Sequence, residues 1–97
     1  METIIQLNKI GTELSTRTLA QKAKQDISVS QTGRLIFDFS GITFATQSFI
    51  DELIGMLLVK LGKQKFLETV NIRNAVPEIL TIIRVVLQSR QELLSRK

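Results

Sequence analysis

The segment that most constrains the fold of this chain is an apolar strand followed by a turn and a helix. Leu35 to Phe39 is a short run of large apolar residues, interrupted by Asp38 near its end. Such a run is typical of a central strand that helices cover. Ser40-Gly41 predicts a turn directly after it. A helix is predicted to begin near Ser48, so this segment indicates an α/β fold.

The helix after the turn carries signals at both of its ends. Ser48 and Asp51 have the spacing of a capping box, which predicts Ser48 as the helix N-cap. Gly62 predicts the C-terminal stop, and Gly55 predicts a place where a neighbouring element approaches the backbone closely. The apolar residues between these ends recur at helical spacing and predict the buried side: Ile50, Leu53, Ile54, Leu57, Leu58 and Leu61.

The remaining elements alternate between strand and helix. Strands are predicted at Thr3–Leu7 and Glu68–Arg73, and helices from Ser15 or Thr16 and from Asn74. The order β-α-β-α-β-α predicts a small, mainly parallel sheet with right-handed crossovers. We therefore predict a single domain over residues 1–97.

The outer strands alternate between apolar and polar residues, which predicts helices packed mostly on one face of the sheet. Gln6, Asn71 and Arg73 would lie on the open face. Ile4 and Ile36 would form an apolar patch there, which suggests a contact for a second copy of the chain.

Composition narrows the classes of function. The chain has neither cysteine nor histidine, so the commonest general base and the commonest metal ligands are missing. We therefore expect no enzyme, no metal site and no cofactor. We also expect a cytoplasmic protein, because no signal peptide or membrane-spanning segment is recognisable.

The net charge of +4 makes association with nucleic acid a further alternative. The basic residues are dispersed, and this dispersion argues against nucleic acid as the main partner. The nearest approach to a basic cluster consists of Arg84, Arg90, Arg96 and Lys97.

The parallel topology predicts a functional surface at the carboxyl edge of the sheet, where the strand-to-helix turns meet. Arg17, Ser48 and Arg73 would suit an anion or a nucleotide, although the chain lacks a glycine-rich phosphate loop. The predicted group at this edge comprises Thr12, Thr16, Arg17, Asp38, Ser40, Thr46, Ser48, Arg73 and Asn74.

Two stretches carry a family resemblance. Leu35-Ile36-Phe37-Asp38-Phe39-Ser40-Gly41-Ile42 and Thr46-Gln47-Ser48-Phe49-Ile50-Asp51-Glu52-Leu53-Ile54-Gly55 resemble the signature of the STAS-like domains of unknown function. More distantly, the chain is similar to the STAS domains of anti-sigma factor antagonists, which are small cytoplasmic regulators of bacterial type. A partner kinase of the histidine-kinase-like ATPase fold phosphorylates a serine at the start of their second major helix.

The resemblance implies a non-enzymatic regulatory module that interacts with other proteins. Ser48 matches the phosphorylatable serine, and Asp38 matches the acid that ends the preceding strand. The implied partner is a histidine-kinase-like ATPase or an anti-sigma factor, which would bind around Thr46, Ser48 and Phe49. Two interpretations of Ser48 remain open, a plain helix cap and a regulated site, and an anion- or nucleotide-binding sensor is the alternative function.

Overall fold

The computed structural model of the protein describes residues 2–11, 13–24 and 33–95. A 3₁₀ turn, Leu7–Lys9, follows the first strand, and a π-helical turn, Asp51–Gly55, joins the second helix to the third. In chain order the strands and α-helices are β1 (Glu2–Gln6), β2 (Glu13–Leu14), α1 (Arg17–Lys24), β3 (Arg34–Asp38), β4 (Phe44–Ala45), α2 (Gln47–Ile50), α3 (Met56–Leu61), α4 (Lys63–Thr69), β5 (Val70–Arg73) and α5 (Pro77–Ser95).

The main sheet is parallel and has the order β1-β3-β5. The apolar strand β3 lies at its centre, with Ile36 in register between Ile4 of β1 and Asn71 of β5. A second, two-stranded parallel pair joins β2 to β4. The structure therefore confirms the predicted α/β fold with a small parallel sheet.

The helices cover one face of the main sheet. Leu35 and Phe37 point into the core from that face and are 2% and 0% exposed. On the opposite face Ile4 is 48% exposed, and Gln6 and Asn71 are exposed. This alternation confirms the predicted placement of the helices.

One detail of the open face differs from the prediction. Ile36 is only 1% exposed, so it does not form an apolar patch together with Ile4. Its place on the central strand explains the difference, because Ile4 and Asn71 flank it on either side in register.

The core lies between the sheet and the helices. Four of the six apolar residues predicted for the helix after Ser48 are buried: Ile50, Leu53 and Ile54 fully, and Leu58 at 3% exposure. Leu57 and Leu61 are partly buried and pack against the core. Further members of the same cluster come from the other elements: Ile5, Leu7, Leu14, Ala20, Ala23, Phe39, Ile42, Ala45, Phe49, Phe66, Ile79, Ile83 and Val86.

Two parts of the predicted element order are wrong. The third strand begins at Val70, and Glu68 belongs to the unpredicted helix α4. Gly62, with a φ of 83°, lets the chain turn from α3 directly into α4. Phe66 then packs α4 onto the core. The short pair β2–β4 was also not predicted, because two-residue strands carry no readable alternation.

The last helix has 19 residues. Its length is therefore about 28 Å at the usual rise per residue. In the part of the chain that the structure describes, no helix combines the length and apolar character needed to cross a bilayer.

Candidate functional site

The helix after the turn is capped by Thr46, and the prediction of Ser48 as the N-cap is wrong. Thr46 has extended backbone angles (φ −89°, ψ 159°), and its hydroxyl oxygen accepts a hydrogen bond from the Phe49 amide at 3.2 Å. The Thr46 amide donates to the Leu14 carbonyl at 2.9 Å, and its hydroxyl donates to the Ser15 carbonyl at 3.2 Å. These contacts hold Thr46 outside the helix, so α2 begins at Gln47.

Ser48 is consequently the second residue of α2. Its side chain is exposed, and its hydroxyl makes no hydrogen bond within the described part of the chain. Phe49, which the family resemblance placed in the partner surface, is fully buried at 0% exposure. Ser48 therefore belongs to the accessible surface of the helix, whereas Phe49 belongs to the core.

The two acids at the start of the π turn are paired with cations on the flanking helices. Arg90 of α5 donates from Nε to Asp51 Oδ1 at 2.7 Å and from Nη2 to Oδ2 at 2.5 Å. The ammonium of Lys24 on α1 lies 2.5 Å from Glu52 Oε2. The bidentate contact with Asp51 raises the pKa of Arg90 above its ordinary value. Consecutive carboxylates thus tie the π turn to both α5 and α1.

Gly55, at the end of the π turn, is where α5 approaches most closely. A Cβ atom at this position would lie 2.6 Å from Asp51 Oδ1 and 2.9 Å from Val86 Cγ1. The Arg90 Cγ atom would be 3.4 Å away. The predicted close approach of a neighbouring element at Gly55 is confirmed, and the missing side chain leaves room for the Asp51–Arg90 contact.

Asp38 lies at the carboxyl end of β3 and closes the turn that follows. Its Oδ1 atom accepts hydrogen bonds from the Ser40 amide at 2.9 Å, the Ser40 hydroxyl at 2.8 Å and the Asn74 side-chain amide at 3.1 Å. Asn74 has a φ of 62°, which asparagine tolerates better than most residues. The bond from Asn74, the two bonds from Ser40 and the nearby charge of Arg73 lower the pKa of Asp38.

Six of the predicted site residues fall into two groups. Asp38, Ser40, Arg73 and Asn74 form the first group at the end of the main sheet. Thr46 forms a second group with the segment before α1, where the Thr16 hydroxyl oxygen accepts from the Leu19 amide at 3.2 Å. Among the described residues, no hydrogen bond or ion pair joins the two groups.

Several residues of the predicted anion site and of the basic cluster lie outside the described part of the chain or are already paired. Arg17 is the first residue of α1, but its side chain lies outside the described part, as does Thr12. Arg90 is engaged with Asp51 and so is not part of a free basic surface. Arg84 is exposed, whereas Arg96 and Lys97 lie outside the described residues.

Sequence reasoning missed the partners that α1 and α5 supply. Arg90 is 39 residues from Asp51, and Lys24 is 28 residues from Glu52. No local sequence pattern could therefore predict either pair. Threonine is among the residue types that favour the N-cap position, although Phe49, three residues after Thr46, lacks the carboxylate of a capping box. Thr46 was therefore a readable cap candidate. Among the described residues, no cluster of three or more potential ligands could hold a metal ion.

The comparisons with known proteins give one result. No curated protein and no solved structure is significantly similar to the chain. The sequence model of one family, described as the STAS-like domain of unknown function (DUF4325), matches residues 14–80. This match spans more than half of the chain and covers β2 to the start of α5. It confirms the resemblance seen in the sequence, and the chain belongs to the family of STAS-like domains of unknown function.

Proposed function

We propose that the chain is a non-enzymatic regulatory module that binds a protein partner, and that phosphorylation of Ser48 controls this binding. The binding surface begins at Ser48 and follows the outward side of α2 and α3. One observation carries the proposal: Ser48 is exposed at the second position of α2, while Thr46 makes the cap bond. The Ser48 hydroxyl can therefore accept a phosphate without loss of the hydrogen bond that begins the helix.

The charges around Ser48 favour a phosphate at this position. The amino end of a helix carries partial positive charge, which stabilises an added anion. Asp51 and Glu52 follow three and four residues later and would by themselves repel a phosphate. In the structure Arg90 and Lys24 neutralise them, and this pairing weakens the repulsion that the sequence predicts.

The three carboxylates nearest the predicted site, those of Asp38, Asp51 and Glu52, support a role without catalysis. Asp38 accepts three hydrogen bonds through one oxygen, and the acids of the π turn are held in ion pairs. The chain has no histidine and no cysteine that could act in their place. These carboxylates are therefore better suited to holding the structure than to moving protons.

The resemblance to anti-sigma factor antagonists supports the class of partner. The match to the STAS-like family covers residues 14–80, which include Ser48 and the helical segment that contains it. A histidine-kinase-like ATPase or an anti-sigma factor is the partner that this resemblance implies. The buried Phe49 does not contribute to the contact, so the exposed side chains beside Ser48 must supply it.

The experiment that tests the proposal compares the wild-type full chain with two variants. Immobilised wild type, Ser48→Ala and Ser48→Asp are incubated with lysate of the native cells, and the captured proteins are quantified by mass spectrometry. We expect a partner that wild type and Ser48→Ala retain and that Ser48→Asp loses. Phosphopeptide mapping of the chain from the same cells is expected to find phosphate on Ser48.

Gln47→Asp is the matched control, because it adds the same charge one residue earlier at a position that is also exposed. It should retain the partner if the effect belongs to Ser48. Thermal unfolding of each variant verifies that all are folded. Normal capture by a folded Ser48→Asp variant, together with no phosphate on Ser48, would refute the proposal.

A further inference from the structure

The outward side of α3 exposes two apolar residues beside lysines. Met56 and Val59 are 39% and 41% exposed, and Lys60 is exposed next to them. The spacing of i, i+3 and i+4 places these three side chains on one face of the helix. Leu58 lies on the other side and is buried in the core at 3% exposure. The exposed face of α3 therefore mixes apolar and basic character.

Three lysines, one in the last turn of α3 and two in the first turn of α4, have no described counter-ion. Lys60, Lys63 and Lys65 are exposed and form no ion pair within the described part of the chain. In contrast, Lys24 and Arg90 are paired with acids. Beyond α3 lies a shallow, open depression of about 480 Å³, lined by Leu61, Gly62, Lys63, Gln64, Lys65 and Glu68.

We infer that the surface formed by Met56, Val59 and Lys60 of α3 and by Lys63 at the start of α4, here called the α3 surface, binds a protein segment whose apolar side chains are flanked by carboxylates. Met56 and Val59 would contact the apolar side chains, and the two lysines would pair with the carboxylates. This inference rests on the proposed function, because it names the chemistry of the partner that binds beyond Ser48.

Like charge argues against one other occupant of the α3 surface, and the narrow apolar face of the helix argues against another. A second copy of the chain carries the same net charge of +4, and like charges raise the cost of that association. An anionic membrane would match the lysines, but interfacial helices bury a wide apolar face. In this helical segment the larger apolar side chains, such as Ile54 and Leu58, already pack into the core. They are therefore not available to enter a membrane.

The test uses two synthetic helical peptides that share one leucine face and carry either glutamate or lysine on the other. Each is labelled with a fluorophore and titrated with the full chain at about 0.05 M and 0.3 M salt. We expect the glutamate peptide to bind with an affinity that falls as salt rises, and the lysine peptide not to bind. The methyl NMR signal of Met56, one of only two methionines, should shift on binding.

Two pairs of variants localise the contact. Lys60→Glu combined with Lys63→Glu should weaken binding about tenfold or more, since it replaces attraction by repulsion. Arg34→Glu is the control, because Arg34 is exposed on the open face of the sheet. Val59→Thr should weaken binding, whereas Ile4→Thr, 48% exposed on that open face, should not.

Three results would overturn the inference: no binding of the glutamate peptide, equal binding of both peptides, or binding unchanged by the double lysine variant. Preferential capture by anionic phospholipid vesicles that depends on the same lysines would assign the surface to a membrane instead. The proposed function is judged separately. If Ser48→Asp still loses its native partner while the glutamate peptide fails to bind, only the present inference falls.

Discussion

The position of the helix cap allows a sharp test, because two hydroxyl residues two positions apart should behave in opposite ways. Thr46 makes the cap bond to the Phe49 amide and a second bond to the Ser15 carbonyl, both at 3.2 Å. Ser48 makes neither. We expect Thr46→Ala to destabilise the fold and Ser48→Ala to leave it nearly unchanged.

The expected magnitudes follow from these contacts. Loss of a threonine cap costs about 0.5–2 kcal/mol. The Ser15 carbonyl is exposed, so water replaces its lost bond and adds little to this cost. Thr46→Ser keeps the hydroxyl and should recover most of the lost stability. For Ser48→Ala we expect a change within about 0.5 kcal/mol, because an exposed helical position tolerates alanine well.

Urea unfolding followed by circular dichroism measures the free energy of unfolding of each variant. Thermal unfolding gives a second measurement, because 1 kcal/mol corresponds to a shift in Tm of about 4–8 °C for a chain of this size. Thr46→Ala and Ser48→Ala should therefore be clearly separated in both assays. Unchanged urea slopes would show that the denatured state is comparable between variants. A loss of stability in Ser48→Ala as large as in Thr46→Ala would refute the assignment of the cap.

Three further predictions test the contacts around the π turn and the sheet edge. Gly55→Ala should lower the free energy of unfolding by about 1–3 kcal/mol through overpacking, whereas Gly11→Ala, whose Cβ would meet nothing within 4 Å, should be neutral in the same urea assay. Arg90→Lys should weaken the cross-helix contact because lysine cannot form the bidentate pair with Asp51; a double-mutant cycle with Asp51→Asn should give a non-zero coupling energy, and additive effects would contradict it. The pKa of Asp38 is lowered in the folded state. The stabilisation by its carboxylate should therefore be complete above the unfolded pKa of about 3.9 and should be lost as the pH falls through the folded pKa. Unfolding curves between neutral pH and pH 2 should show a weaker loss of stability on acidification for Asp38→Asn than for wild type.

The regulatory proposal and the inference about the α3 surface use different residues of one helical segment. Ser48 lies at the amino end and Lys60 near the carboxyl end, about 18 Å apart at the usual helical rise. At physiological salt this separation exceeds the screening length of about 8 Å. A phosphate on Ser48 therefore acts on the part of a partner that lies beside it, and not through a direct effect on Lys60.

Local pattern was sufficient for the features that depend on neighbours in sequence. The apolar run at Leu35 to Phe39 predicted a central strand, and β3 occupies the centre of the sheet. Gly62 predicted the end of α3, and its positive φ shows why a glycine stands there. Gly55 predicted a close approach, although its sequence neighbours could not name α5 as the element that approaches.

The sequence by itself thus determined the alternation of strands and helices, the buried sides of the helices and the resemblance to the STAS-like family. Tertiary structure decided the cap: the Thr46 amide pairs with the Leu14 carbonyl, and this pairing holds Thr46 in an extended conformation. It also decided the partners of Asp51 and Glu52, because Arg90 and Lys24 are far away in sequence. Local pattern cannot select among such distant partners, since only the packing of α1 and α5 against the π turn brings the charges together.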